Sequence, residues 1–341
     1  MTLTPYPWQQ RQWRQLLDAA GQKRLAHALL LTGAEGLGID EFVQALAGRL
    51  LCEGPAGEHA CGECRACLLY RSGNHPDLIR IRPEEPGKPI RVDAIRDLID
   101  YMHLSSQYSR YKIAVIEPAE AMNRNAANSL LKTLEEPPPE SIFILNSRRP
   151  SQLPVTIRSR CQQVNFPEPA FDAAQAWLAE QLDGDTARAA ELLVMAHNRP
   201  LTALYLEEDG TVEKQSSLLA DLARLKSGLP DPVETARHWL DYGPVQVMQW
   251  LLVFIRIMGR QKLTPAETAA GSHFRKNLDD LAKGLDLLEL LKWYDIVLDN
   301  YRAATGPFNP NQQGLLEDII VNWQNLSRVA GGIDSERSRR T

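Results

Sequence analysis

The sequence predicts an α/β unit built on a parallel sheet, with a glycine loop of phosphate-binding type, followed by an all-helical region. Three observations predict it. Short apolar runs alternate with amphipathic helical stretches through the first half of the chain. The first of those runs leads directly into a glycine loop that opens a helix. After Cys161 the strand signals nearly stop, and helical periodicity takes over.

Residues 7–24 have the spacing of an amphipathic helix. Ala26 to Thr32 is a short apolar run bounded by glycine, as a buried parallel strand is. Gly33 to Gly38 is a loop, and residues 39–52 return to helical spacing. The cysteine-bearing segment 52–67 is glycine-rich and reads as loop with a short helix. Leu78 to Ile81 is a strand candidate. Residues 92–102 place Val92, Ile95, Leu98, Ile99 and Met102 on one helical face. Lys112 to Ile116 is a second buried strand, and Asn123 to Glu136 is a helix stopped by Pro137, Pro138 and Pro139. Ser141 to Leu145 is a third strong strand. Phe166, Pro167 and Pro169 read as a linker. Residues 170–208 form a small helical set, and long apolar-faced stretches follow at 245–259, 278–304 and 312–327. Trp250, Trp293, Tyr294, Tyr301 and Trp323 recur at helical spacing with Leu and Ile, which marks them as core.

Bulk properties narrow the class. The 341 residues suffice for two or three domains, and the 44% hydrophobic, 24% charged balance is that of a soluble globular chain. A net charge of −5 excludes a wholesale nucleic-acid binder, so any such contact would need a local patch. The most basic run is Arg148, Arg149, Arg158 and Arg160. The polar N-terminus lacks the features of a signal peptide. The apolar run Val245 to Ile257 is too short for a bilayer and is broken by Gln249 and Arg256. A cytoplasmic protein without membrane contact is expected.

The loop Gly33 to Asp40 (GAEGLGID) has the setting of a P-loop, G-x-x-x-x-G-K-[ST], but not its chemistry. Gly33, Gly36 and Gly38 supply the turn. Ile39 stands where the phosphate-binding lysine belongs, and Asp40 where the Mg²⁺-ligating hydroxyl belongs. Two like charges ~4 Å apart repel by roughly 4 kcal/mol at a near-surface dielectric. ATP is therefore not expected to bind. On the loop alone, an unrelated glycine turn is an equally good reading. The strand 112–116 then runs into Glu117 and Pro118. A Walker-B strand ends in Asp for Mg²⁺ and Glu for the hydrolytic water. Glu117 occupies the first place, and Pro118 cannot act as a base in the second.

Cys52, Cys61, Cys64 and Cys67 follow the pattern C-x8-C-x2-C-x2-C. In a reducing compartment four such thiols point to metal, and a closed tetrahedral Zn–S₄ site is structural rather than catalytic. An iron–sulfur cluster is the rival, but the C-x3-C-P continuation of ferredoxins is absent. His75 follows closely and is assigned a structural role, because four cysteines already complete the site.

With these pieces the sequence resembles the delta-prime subunits of the bacterial DNA polymerase III clamp loader, a branch of the AAA+ clamp-loader family. The stretches that carry the resemblance are HPDL (His75 to Leu78), IRVDAIR (Ile90 to Arg96), NSLLKTLEEP (Asn128 to Pro137), PVTIRSRC (Pro154 to Cys161) and NPNQQ (Asn309 to Gln313). The resemblance covers roughly residues 1–328. It implies an AAA+ module over 1–167 with the zinc insertion at 52–67, a helical lid over 168–210, a helical collar for oligomerisation over 211–330 and a frayed tail over 331–341. It also implies a subunit without its own ATPase, in a hetero-oligomer with the motor subunits gamma/tau and the delta subunit. That complex loads the sliding clamp onto primed DNA at the replication fork, in the cytoplasm. The chain would not be a homo-oligomer.

The resemblance further implies that Arg160, between Ser159 and Cys161 in the SRC motif, reaches the ATP of a neighbouring motor subunit as an arginine finger. Without the resemblance, Arg160 is an ordinary surface or structural residue. The first sensor position falls near Asn146 or Ser147. The second falls near Leu201, with Arg199 two residues away, so the sensor arginine of the motors is displaced or lost. Two other readings compete. An active AAA+ motor or helicase-loader ATPase is opposed by Ile39 and Pro118. A zinc-dependent nucleic-acid-binding protein predicts DNA binding by the isolated chain.

Overall fold

The computed structural model describes residues 4–55, 57–85, 87–228, 231–263, 273–306 and 310–337. The chain forms two compact units, Met1–Gly184 with Ala196–Ala203, and Asp185–Met195 with Leu204–Thr341.

The first unit is a five-stranded sheet: β1 (Ala28–Gly33), β2 (Leu78–Ile81), β3 (Lys112–Ile116), β4 (Ser141–Ser147) and β5 (Gln162–Phe166). Their spatial order is β2-β3-β4-β1-β5, and every pairing is parallel. The helices of this unit are α1 (Gln10–Gly21), α2 (Ile39–Leu51), α3 (Arg65–Arg71), α4 (Val92–Met102), α5 (Arg124–Glu135), α6 (Val155–Arg158) and α7 (Phe171–Gln181). Side chains alternate across the pleat, so each strand feeds two cores. Leu29, Leu31, Ile113, Val115, Ile142 and Ile144 pack with Trp13 of α1 and Phe42 and Leu46 of α2. Ala28, Leu30, Ala114, Ile116, Phe143 and Leu145 pack with Ile95 and Leu98 of α4 and Leu130 of α5. Burial on both faces explains why β1, β3 and β4 read as continuous apolar runs.

β5 corrects the sequence reading, which found no strand after Cys161 and took Phe166 as linker. It is an edge strand beside β1. Only Val164 and Phe166 point inward, while Gln162, Gln163 and Asn165 are exposed. That leaves too weak an alternation to stand out.

The second unit is helical. It contains α8 (Thr186–Met195), most of α9 (Pro200–Glu208), α10 (Thr211–Lys226), α11 (Pro232–Leu240), α12 (Pro244–Leu263), α13 (His273–Ala282), α14 (Leu287–Thr305) and α15 (Gln312–Arg337). The expected stretch 278–304 is two helices. The chain turns at Gly284, whose φ is +82°, and Asp286 caps α14 in a capping box with Glu289. Trp293 and Trp323 are fully buried, their rings 4.4 Å apart, with indole N–H groups donating to the Ile319 and Leu222 carbonyls. Trp250 is also buried, whereas Tyr294 and Tyr301 are half-buried.

The two units do not follow the boundaries at 168 and 211. α7 belongs to the sheet unit, and the chain passes between the units within α9. α15 continues through residues 331–337, where a tail was expected. Residues 338–341 and Asn309 of the NPNQQ stretch lie outside the described residues.

Candidate functional site

The glycine loop lies where a P-loop would, between β1 and α2. Gly36 and Gly38 both take positive φ, +82° and +78°, and Gly38 caps α2. The loop is packed from its own side of the chain. A Cβ at Gly36 would lie 2.0 Å from Thr202 Oγ1, and one at Gly38 would lie 2.4 Å from the Tyr6 ring. The Trp8 indole N–H donates to the Leu37 carbonyl at 2.9 Å. The Gln9 amide, fully buried, donates to the Leu37 and Gly38 carbonyls at 2.8 Å each. The backbone N–H of Leu201, the residue expected near the second sensor position, donates to the Gly36 carbonyl at 3.2 Å. Arg199 instead faces Glu168, at 3.9 Å. Ile39 is buried, with its Cδ1 against Gly33.

The acidic positions are engaged as well. Asp40 accepts from the Asn146 side-chain amide and lies 3.3 Å from Arg148, which also pairs with Glu35 at 2.6 Å. Two members of the expected basic run are thus bound to acids of their own chain, Arg148 here and Arg160 below. Glu117 is 5% exposed. Its Oε1 accepts from Arg80 at 3.3 Å and from Arg82 Nε and Nη2 at 2.9 and 2.6 Å. Two guanidinium groups therefore hold one oxygen of the carboxylate that stands at the expected Walker-B position. The Glu117–Pro118 peptide is cis. Arg80 and Arg82 were not singled out in the sequence. The only signal was their two-residue spacing along β2 and its extension, which puts both on one face. Glu35, Asp40, Arg82, Glu117, Asn146 and Arg148 share the wall of one open cavity of about 1100 Å³.

The four cysteine sulfurs all lie within 4.8 Å of one another. Cys52 Sγ is 3.5 Å from Cys61 Sγ and 4.0 Å from Cys64 Sγ, and Cys61 Sγ is 3.9 Å from Cys67 Sγ. A tetrahedron with metal–sulfur bonds of 2.3 Å has edges of about 3.8 Å, so the thiols fit a zinc-type site. Backbone N–H groups of Cys61, Cys64 and Cys67 donate to the sulfurs of Cys52, Cys61 and Cys64 at 3.3, 3.3 and 3.4 Å. The backbone N–H of Glu63, then that of Cys64, lowers the Cys61 thiol to about 7. Burial pushes the Cys52 and Cys67 thiols up. All four are free of disulfides, as is Cys161, which lies in the sheet core with its thiol raised to about 11 by burial.

His75 takes no part in this cluster. It is buried, its Nδ1 accepts from the Asp77 backbone N–H at 3.1 Å, and its Nε2 lies 3.3 Å from Ser109 Oγ. Asp77 accepts three backbone N–H groups, from Gln107, Tyr108 and Ser109. The His-Pro-Asp stretch therefore anchors the loop before β3. Burial lowers the His75 pKa, opposed by Asp77 and Glu53. An unfolded histidine titrates near 6.5. Above that pH both states are neutral and the stability is flat. As pH falls from there toward the folded value, only the unfolded chain takes the proton, so stability is lost. The urea midpoint should thus drop between pH 7 and 5, with a His75 share of at most about 1.4 kcal/mol per pH unit. The His75→Asn variant should show a shallower drop, and an equal drop would exclude His75 as its source.

Arg160 sits in the turn between α6 and β5, half-buried. Its Nη1 donates to the Thr156 carbonyl at 3.0 Å, and its Nη2 pairs with Glu135 at the end of α5. The exposed Ser159 hydroxyl donates to the same Thr156 carbonyl at 3.2 Å. Among the described residues, no helix is long and apolar enough to cross a membrane.

The chain is similar to known replication proteins. The family described as "DNA polymerase III, delta subunit" matches residues 8–170. The DNA polymerase III subunit delta' of Pseudomonas aeruginosa is 37% identical over 323 residues, which cover 94% of this chain and 98% of that one. The Escherichia coli subunit delta' is 33% identical over 218 residues, 64% and 65% of the two chains. The Bacillus subtilis subunit tau is 36% identical over 151 residues, 44% of this chain and 26% of tau. A solved gamma subunit-related protein of Thermotoga maritima is 20% identical, covering 92% of this chain and 99% of its own, with a TM-score of 0.44. Identity of this order along nearly the whole of both chains shows that the chain belongs to the delta' subunit family of DNA polymerase III.

Proposed function

We propose that this delta' subunit of the DNA polymerase III clamp loader has no ATP chemistry of its own and completes the ATP site of a neighbouring motor subunit with Arg160. The observation that carries the first half is the capture of Glu117 by Arg80 and Arg82. Both guanidinium groups meet Oε1, while Oε2 is buried without a hydrogen-bond partner, and the positive charge they place beside the carboxylate opposes a metal cation there. The buried Ile39 and the engaged Asp40 support the same reading. Family membership and the guanidinium at the α6–β5 turn support the second half. Guanidinium suits the role because it stays charged and forks onto phosphate oxygens.

The partners in this reading are the motor subunits gamma/tau and the delta subunit, with the sliding clamp and primed DNA engaged by the complex. The setting is the bacterial cytoplasm. We divide the chain functionally into the module 1–167, a lid over 168–210 and a collar that begins at 211. Cys52, Cys61, Cys64 and Cys67 hold a structural Zn²⁺, which would tie the end of α2 to the start of α3.

Calorimetric titration of the isolated chain with Mg·ATP tests the first half. Binding weaker than a Kd of about 1 mM is expected. Micromolar binding would sink the proposal in favour of an active motor. Zinc-sensitive DNA binding by the isolated chain would favour an independent nucleic-acid-binding protein instead.

A further inference from the structure

We propose that Glu135 is a positioning residue that holds Arg160 against its own chain until phosphate oxygens of a neighbouring nucleotide displace it. The inference rests on the trans role of Arg160 proposed above and adds a device that sets when the arginine is available. In the unassembled chain both terminal nitrogens of the guanidinium are engaged, one by the Thr156 carbonyl and one by Glu135.

The position of Glu135 is otherwise electrostatically unfavourable. It lies in the last turn of α5, beside Glu136, where unpaired helix carbonyls already carry partial negative charge. A carboxylate there gains from a cation, and the α6–β5 turn supplies one from 25 residues further along the chain. The pair is weak enough to exchange. The Arg160 side chain is 32% exposed and that of Glu135 is 50% exposed, and ion pairs of this kind are screened by water and salt. A polyphosphate carries more charge than one carboxylate and can take both guanidinium N–H edges. Glu135 must then move, because its carboxylate would repel the incoming phosphate at contact range. The carboxylate therefore competes with the trans ligand.

The test uses the reconstituted complex with wild-type, Glu135→Gln, Arg160→Ala and doubly substituted subunits. Glu135→Gln should lower the ATP concentration for half-maximal turnover at the served site by about two- to fivefold, with kcat unchanged. The shift should shrink at high salt and vanish in the Arg160→Ala background. A fall in kcat with Glu135→Gln would overturn the proposal, because Glu135 would then be aiming the arginine productively. An equal shift in the Arg160→Ala background would also overturn it, as a general charge effect. Unchanged turnover in Arg160→Ala alone would remove the trans role itself. A readout on the isolated full chain is independent of that role. Hydrogen exchange at the Arg160 side-chain N–H groups, followed by NMR, should be slowed in wild type and at least twofold faster in Glu135→Gln. Equal exchange would mean that the pair does not hold the arginine.

Discussion

Arg160→Ala should leave the complex assembled and lower ATP turnover at the served motor site by on the order of 10³-fold. Removing a trans-acting arginine elsewhere costs about that much in phosphoryl transfer, because the guanidinium neutralises charge that develops on the transferring group. In the proposed assembly other motor sites would mask the effect, so the measurement belongs in complexes where only the site served by Arg160 can hydrolyse. Arg160→Lys should fall between, since an ammonium keeps the charge but loses the planar fork. The fold should tolerate both changes. Arg160 contributes one exposed ion pair and one hydrogen bond to the Thr156 carbonyl, while Ile157 and Cys161 on either side supply the buried contacts. Turnover within twofold of wild type in an assembled complex would refute the finger role.

Cys64→Ser should release the metal and destabilise the sheet unit by about 3–5 kcal/mol, a large effect of the kind tied to loss of a metal site. For a unit of this size that corresponds to a fall in Tm of roughly 10 °C. Cys64 holds a central place. It caps α3, its sulfur accepts the Cys67 N–H, and it lies 4.0 Å from Cys52 at the end of α2. Zinc content by elemental analysis should fall from one ion per chain to less than a tenth. Cys161→Ser is the control, because that thiol lies in the opposite core and should leave the zinc in place. A Cys64→Ser protein that melts with wild type would exclude a structural metal.

Much of the architecture was legible because its signals are local. β1, β3 and β4 are buried on both faces and so appear as unbroken apolar runs. The cysteine cluster was legible because ligand spacing is a short-range constraint, and the sulfurs do converge. β5 was hidden because an edge strand with two inward residues has almost no pattern to detect. The break between α13 and α14 rests on Gly284 and Asp286, which interrupt a stretch whose apolar periodicity otherwise continues. At the site, the departures of Ile39, Asp40 and Pro118 from the motif patterns could be read from the sequence. The partners of what remained could not. Arg80 meets Glu117 only because β2 pairs with β3 in one register, and Arg160 meets Glu135 only because the α6–β5 turn returns past the end of α5.

On the proposed reading, the pairing of Glu117 with Arg80 and Arg82 bears on how such a subunit could acquire ATPase chemistry. Lysine at 39 and threonine at 40 would repair the motif on paper. The side chain at 39 is buried against Gly33, so an ammonium there would have to leave that packing. The metal's carboxylate would still be held by Arg80 and Arg82, and removing those would strand a buried charge before any nucleotide arrived to compensate it. Each single step back is therefore worse than the present state. Under the proposed division of labour, the neighbouring strand would act as a ratchet that makes it hard to reverse.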